Sequence, residues 1–551
     1  MLKTLRDDSG SALVVALLML IMLSFIGIAA ISTSVRDMDI AKNTTDRTKA
    51  FYVAESGLEA AQAVLKSYPN IFGNDTLLGL MAPYTSLPNG SCSITLTGTI
   101  PYKTVTSVGT AADGQAAVQV QFKRRHSALN IWNNVMFAGS GQRGKAISGN
   151  VAYHGPIHIL GEGENFTDQN GNGVWDNADQ FSDGNGNGSW DPGEPLVTDA
   201  NANGIWDAAE PYQDDNGNNL YDGTLTATDL AADLGGTAGM YNNYSGLPAS
   251  IQNRIPQLDQ DYFGGEWIYS LEADLRVKHG TVNLSGDAAI GQADQAGGSP
   301  PIKETVDGAY VNDGWGGTQG TSNVFSDNGT GFKYDLEDYL AFPSLKGNYT
   351  DPLSGQTYAD YTGWLAANAL IINGDVILET GIANTGGSNG NGSIFMDQDG
   401  NLYIRGIVFV TGNVYFNAGD GGERHTPIIY DGRGTIVSGG DMHINTHLLS
   451  RDQFPTNDVM GFLSTQSMYL GTGPGASQLE LMGAFFAQNQ IVNAKQNSLA
   501  GAMVSNYFDV QNNPHLYFVP SIVDNLPPGM PGSGTMNLYT YKKVPGTWKE
   551  L

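Results

Sequence analysis

The chain has 551 residues, too many for one average domain, so several modules are expected. A formal net charge of −28 argues against nucleic acid as a partner, since phosphate binding needs clustered Lys and Arg. A single cysteine, Cys92, excludes an internal disulfide framework, and 72 glycines without a period of three favour tight-turned all-β structure over a helical bundle.

The amino terminus reads MLKTLRDDSG and is followed by an apolar run from Ser11 to Ile31, SALVVALLMLIMLSFIGIAAI. At about 1.5 Å per helical residue this run just crosses a hydrocarbon core. It is too long for a signal h-region, and no small-residue cleavage box follows it. The helical pattern continues beyond it, with Phe51, Ala54, Leu58, Ala61 and Leu65 recurring at three- and four-residue steps. One long helix is predicted, half in lipid and half amphipathic. The stretches ITLTGTI, YKTVTSVGTA and AAVQVQFKRR then alternate with period two through Phe122 and read as a β-meander.

A short basic leader ending in glycine, an apolar helix directly after it, and AFYVAESGLEAA further along resemble PilX-type minor pilins over about the first 70 residues. The resemblance implies that a prepilin peptidase cuts after Gly10 and leaves Ser11 as the methylated mature terminus. It also implies single-pass residence in the inner membrane before assembly, with the head periplasmic or extracellular. The implied partners are that peptidase, other pilins, the pilus assembly platform and a tip adhesin. Major pilins carry Glu at the fifth mature position, where this chain has Val15. An unpaired ammonium in lipid costs several kcal/mol, so the missing carboxylate points to a subunit at the tip, with no neighbour above it. A helix that anchors without polymerising is the alternative.

From Glu162 to Leu225 there is no Lys or Arg, and a motif recurs four times, starting at Asp168, Asp183, Asp199 and Asp214. Each copy resembles the calcium loop of EF-hand and dockerin-like modules, with oxygen side chains at positions 1, 3, 5 and 9 and an acid at 12. The first copy supplies Asp168, Asn170, Asn172, Asp176 and Asp179; the second supplies Asp183, Asn185, Asn187, Asp191 and Glu194. The third supplies Asp199, Asn201, Asn203, Asp207 and Glu210. Gly173, Gly188 and Gly204 fill position 6, where the chain turns sharply. The fourth copy departs, with Asn219 in place of the glycine and Leu225 at position 12, leaving Asp214, Asn216, Asn218 and Asp222 as ligands. A hard divalent cation wants six to eight oxygens, and this spacing wraps them around one point, so calcium (Ca2+) is the expected cofactor. A flexible Asn/Gly-rich loop is the bland alternative, against which Trp175, Trp190, Trp206 and Tyr221 stand at one fixed place in the four copies. The flanks do not read as paired EF-hand helices, so the metal is expected to stiffen the segment.

Beyond Asn130, short β-branched runs alternate with Gly, Asn and Asp turns. GIVFVTGNVYF from Gly406, GTIVSGGDMHI from Gly434, GFLSTQSMYL from Gly461, GAFFAQNQIV from Gly483 and GAMVSNYFDV from Gly501 share one form. Each reads glycine, an apolar pair, a polar corner, then a second short strand. GNVAYHGPIHIL from Gly149, GTVNLSGDAAIG from Gly280 and ALIINGDVIL from Ala369 look like further copies. These fit the coils of a β-solenoid whose loops vary in length, with a β-sandwich as the competing architecture. The expected class is therefore α+β, mostly β: a long N-terminal transmembrane and pilin helix, then a right-handed β-helix-like solenoid head with a calcium-loop insertion. The expected division is a leader at 1–10, the helix at 11–67 (membrane span 12–31) and a meander at 68–130. A head at 131–530 with the insertion at 162–225, and a tail at 531–551, complete it.

Because β-helices include carbohydrate-active enzymes, catalysis is weighed as well. His154 with His158, and His443 with His447, stand four apart, a spacing that shares one face of a strand and suits a metal. No third ligand, nucleophile elbow, phosphate loop or acid–base pair accompanies them, so a non-enzymatic subunit is expected. A minor pseudopilin of a type II secretion system and a tethered carbohydrate-active β-helix are the alternatives.

Overall fold

The computed structural model describes the chain except residues 1–8, 69–70, 72, 100, 142–147, 150, 162–166, 168, 170–177, 185, 188, 199–205, 213–229, 235–237, 264–265, 279–280, 285–288, 291–307, 312–339, 383, 419–425, 474, 494, 533–534 and 545. It divides into two compact units, Met1–His126 with Tyr539–Leu551, and Ser127–Leu538.

In the first unit, helix α1 (Ser9–Ser67) is continuous for 59 residues. Its second half buries one stripe, Ala50, Val53, Ala54, Leu58, Ala61, Val64 and Leu65, as the 3.6-residue period requires. The stripe packs on an antiparallel meander of β1 (Ser86–Leu87), β2 (Gly90–Thr97), β3 (Tyr102–Ala111) and β4 (Gly114–Leu129). Helix and sheet touch closely because glycines sit where they meet. A Cβ on Gly109 would stand 2.2 Å from the Ala50 carbonyl, and one on Gly57 would stand 2.4 Å from Ser107 Oγ. The residues expected as a C-terminal tail do something else: strand Met536–Lys543 follows β4 in the sheet order, and Lys549–Glu550 pairs antiparallel with β4.

The second unit consists mainly of three ladders of parallel strands in which successive segments pair in register. The first ladder runs through Leu370–Ile372, Asn401–Val410, Arg433–Ser438, Val459–Ser464, Glu480–Asn493, Ser498–Asn512, Met136–Gly141, Ile157–Ile159, Asp274–Val277 and Gly308–Val311. The second begins Val376–Glu379, Val414–Asn417, Met442–Ile444 and Ser467–Leu470 before rejoining the two longest strands. The third includes Ile428–Asp431, Leu448–Ser450, His515–Phe518, Ala152–His154 and Gly239–Tyr241. Asn401–Val410 and Glu480–Asn493 each enter more than one ladder. As a result six strands close into a ring of parallel pairings, where the sequence suggested separate short strands.

The ladders fix the residue pattern. Ile407, Val408, Phe409 and Val410 are all buried, because the outer side of the first ladder is also covered: Phe342 stacks on Phe486 at 5.7 Å, and Gly529 lies against Ile407. On the second ladder the pattern alternates, with Val414, Phe416, Met442, Ile444, Met468 and Leu470 inside. Tyr415, His443 and Tyr469 point outward there as a ring stack with 4.9 Å steps, close to the inter-strand spacing. The polar corner has a job as well. Asn413 N donates to Asp375 Oδ1, Asp441 N to Asn413 Oδ1, and Ser467 N to Asp441 Oδ1, at 2.8, 2.8 and 3.0 Å. Gly501, at φ +143°, pairs in register with Gly483, whose carbonyl oxygen would stand 1.9 Å from any Cβ there.

Candidate functional site

Two surfaces carry chemistry that the fold itself does not use. The first is the N-terminal half of α1. From Leu13 to Ile40 its large apolar side chains are exposed, and the first charge after Ser11 is Arg36. Two of its hydroxyls bond within the helix, Ser24 Oγ donating to Leu20 O at 2.7 Å and Thr33 Oγ1 to Ala29 O at 2.9 Å. That is the arrangement a water-free surrounding demands. The helix is long and apolar enough to cross a membrane. Gly10 and Ser11 both lie within it, Ser11 exposed, and Val15 is exposed near its start.

The second surface is the acidic repeat. Asp179, Asp183, Asn187, Asp191, Glu194, Asp207 and Glu210 are described. Asp168, Asn170, Asn172, Asp176, Asn185, Asp199, Asn201, Asn203 and the whole ligand set of the fourth copy, Asp214, Asn216, Asn218 and Asp222, lie outside the described residues. Among the described residues no group of three or more acidic, His or Cys side chains converges as a metal cage.

The second copy folds back on itself. Asp183 Oδ1 accepts from Gly186 N at 2.6 Å and from Asn187 N at 3.3 Å, and Asn187 Nδ2 donates to Asp191 Oδ2 at 2.8 Å. Glu194, at position 12, closes the loop: its Oε1 accepts from Gly184 N at 2.8 Å and its Oε2 from Asp191 N at 3.0 Å. Trp190 Nε1 donates to Glu194 O at 3.2 Å, and short strands Gln180–Phe181 and Leu196–Thr198 frame the loop.

In the first and third copies the same contacts recur between copies. Glu210 Oε1, from the third, accepts from Gln169 N of the first at 2.7 Å, in the role Glu194 plays toward Gly184. Asp179 Oδ2, from the first, accepts from Asp207 N of the third at 2.9 Å, and Trp206 Nε1 donates to Asp179 O at 3.1 Å. Asp179 N and Thr167 N likewise donate to Asp207 O and Pro211 O. The position-12 acids of these copies are thus exchanged, and both Asp179 and Glu210 are buried. Trp190 and Trp206 stack at 5.9 Å across the junction. Charge-assisted bonds from backbone N–H hold each acid in place. The described donors are carboxylate and amide oxygens, the donor type a hard cation takes.

The histidine pairs do not share a face. The backbone turns at Gly155, φ +129°, so His154 sits in register with Tyr517 and Tyr241, and His158 with Phe137 and Arg276. Burial lowers the His154 pKa to about 3, and its Nδ1 lies 2.7 Å from Asn243 O. His443 stacks between two tyrosines, whereas His447 Nδ1 accepts from Glu480 N at 3.1 Å. Sequence reasoning missed the partners of AFYVAESGLEAA: Glu55 accepts from Trp548 Nε1 at 2.9 Å, and Glu59 pairs with Lys543 at 3.1 Å. The only signal was the alternating YTYKK near the carboxyl end.

Residues 9–59 match the family model described as PilX N-terminal. No curated protein matches the chain. The competence-associated pilin ComZ from Thermus thermophilus is similar in structure at a TM-score of 0.45 and 17% identity, covering 91% of this chain and 98% of that one. With its apolar helix and the PilX N-terminal match over residues 9–59, the start of the chain is type IV pilin-like.

Proposed function

We propose that the chain is a non-enzymatic minor pilin-like subunit that primes or caps a type IV pilus and presents its β-rich head for adhesion. The observation that carries this reading is the exposed apolar half of α1, continuous with a second half that is the core of a small sheet unit. Exposed apolar surface of this extent has to be covered, by lipid before assembly and by neighbouring helices afterward. In this reading the prepilin peptidase cuts between Gly10 and Ser11, Ser11 is methylated, and the span sits once in the inner membrane with the head outside. The assembly platform, other pilins and a tip adhesin are its partners. Val15 offers no carboxylate to a neighbour's ammonium, which suits a subunit at the end of the filament. Gold labelling of the head on native filaments tests the position. One label at a filament end is expected; labels spaced along the shaft would reject the tip role.

The three ladders are read as the faces of a solenoid, stacked coil on coil, with the acidic repeat as an insertion. Calcium is proposed as the cofactor of that insertion. The second copy forms one loop by itself, and the first and third complete each other through Glu210 and Asp179. When bound, the ion supplies positive charge that lets several carboxylates stand close together. Calorimetric titration of the intact chain in detergent checks this, and no saturable heat from micromolar to millimolar calcium would remove the cofactor.

A further inference from the structure

The first unit is discontinuous, made of Met1–His126 and Tyr539–Leu551 with all of Ser127–Leu538 between them. We propose that the C-terminal segment is a completion lock: the pilin-like unit reaches its packed state only when residues 539–551 dock, so that assembly waits until the head has been made and exported. The assembly half of this proposal rests on the pilin reading; the packing half does not.

The segment supplies what the unit otherwise lacks. Without it β4 is an edge strand with open backbone groups, a liability for wrong pairing. With it, Val544 N donates to Gln121 O at 2.8 Å, Gln121 N to Thr547 Oγ1 at 3.1 Å, and Leu551 N to Ala117 O at 2.9 Å. Tyr541, 1% exposed, fills the core cluster that holds Ala54, Leu58, Ala61, Leu65, Val118, Val120 and Phe122. Arg124 lies over the Tyr539 ring at 3.7 Å.

The segment also clasps one face of α1 between residues 47 and 59. Arg47 pairs with Glu550 at 3.0 Å, Trp548 donates to Glu55 and packs edge-on against Phe51 at 6.4 Å, and Lys543 pairs with Glu59. Exposed ion pairs of this kind contribute little singly. Their value is register, and of the residues they choose on α1, Phe51, Glu55 and Glu59 belong to the AFYVAESGLEAA motif while Arg47 precedes it. A chain made from its amino terminus delivers these groups only after the head. Loop-closure entropy also opposes docking while the long intervening segment is unfolded, and a folded head removes most of that opposition.

The test is limited proteolysis of membranes carrying the full chain, a variant ending at residue 538, and Tyr541→Asp in the otherwise intact chain. Both variants are expected to lose protection across α1 and β4 by about tenfold or more, with the head as resistant as in the native chain. Added peptide 536–551 should restore protection to the shortened chain. Unchanged protection of α1 and β4 in both variants would overturn the lock. Recovery in sheared filaments is scored in parallel. A native chain absent from filaments removes the pilus reading, while the proteolysis still decides the lock.

Discussion

The molecule contains two internal repeats that look alike in composition and are held together by opposite means. Around Gly406–Gly501 the glycines sit where neighbouring strands touch, apolar side chains stack on their counterparts, and backbone ladders satisfy the polar groups. Phe462 on Phe485, at 4.9 Å, is typical of that packing. Around Asp168–Asp222 the described residues lack such a core, and carboxylates hold the backbone instead. A repeat of the first kind stores its stability in buried area. One of the second kind concentrates negative charge and rests, in the proposed reading, on a cation. Glycine and asparagine content alone does not distinguish them.

Perturbing one repeat should therefore leave the other in place. The largest effect is expected from Gly501→Val, which puts a branched side chain against the Gly483 carbonyl at a left-handed φ. The head should lose more than about 4 kcal/mol, read by chemical denaturation, with no direct effect on the acidic repeat. Acid comes next. The folded-state pKa of His154 is lowered, so the stability linked to its neutral form is fully present above about pH 6.5 and is lost as pH falls toward 3. At pH 4.5 the loss is about 2–3 kcal/mol, and His154→Phe should flatten it. Asn413→Ala removes one corner acceptor and should cost about 1 kcal/mol in thermal unfolding of the head. The smallest effect belongs to a chelator acting on the strand ladders: their unfolding midpoint should not move, while residues 162–225 become more readily cleaved. A chelator that melts the ladders would erase the distinction between the repeats.

Much of this was legible because it is local. The stripe Ala54, Leu58, Ala61 and Leu65 announces a helix face, and recurring glycines at 406, 434, 461, 483 and 501 announce a repeated unit. The rest depends on pairings between distant segments that leave no trace at either end. Nothing in Met136–Gly141 says that it pairs with Ser498–Asn512, nor does YTYKK reveal that it completes the sheet at β4. The acidic copies are a sharper case. Position 12 is readable in each, but copies 15 or 16 residues apart are interchangeable there, so only the fold assigns Glu210 to the first loop and Asp179 to the third. The spacing of His154 and His158 carries no shared face for a related reason. A four-residue spacing implies one face only if the strand runs straight, and Gly155 turns it.

The central claim is that this chain is processed and assembled as a pilin-like subunit, and mass spectrometry of its amino terminus in sheared surface filaments and in inner membranes tests it most directly. The account predicts filament peptides that begin at methylated Ser11. An unprocessed terminus at Met1, confined to the membrane fraction, would contradict it and leave a tethered surface protein.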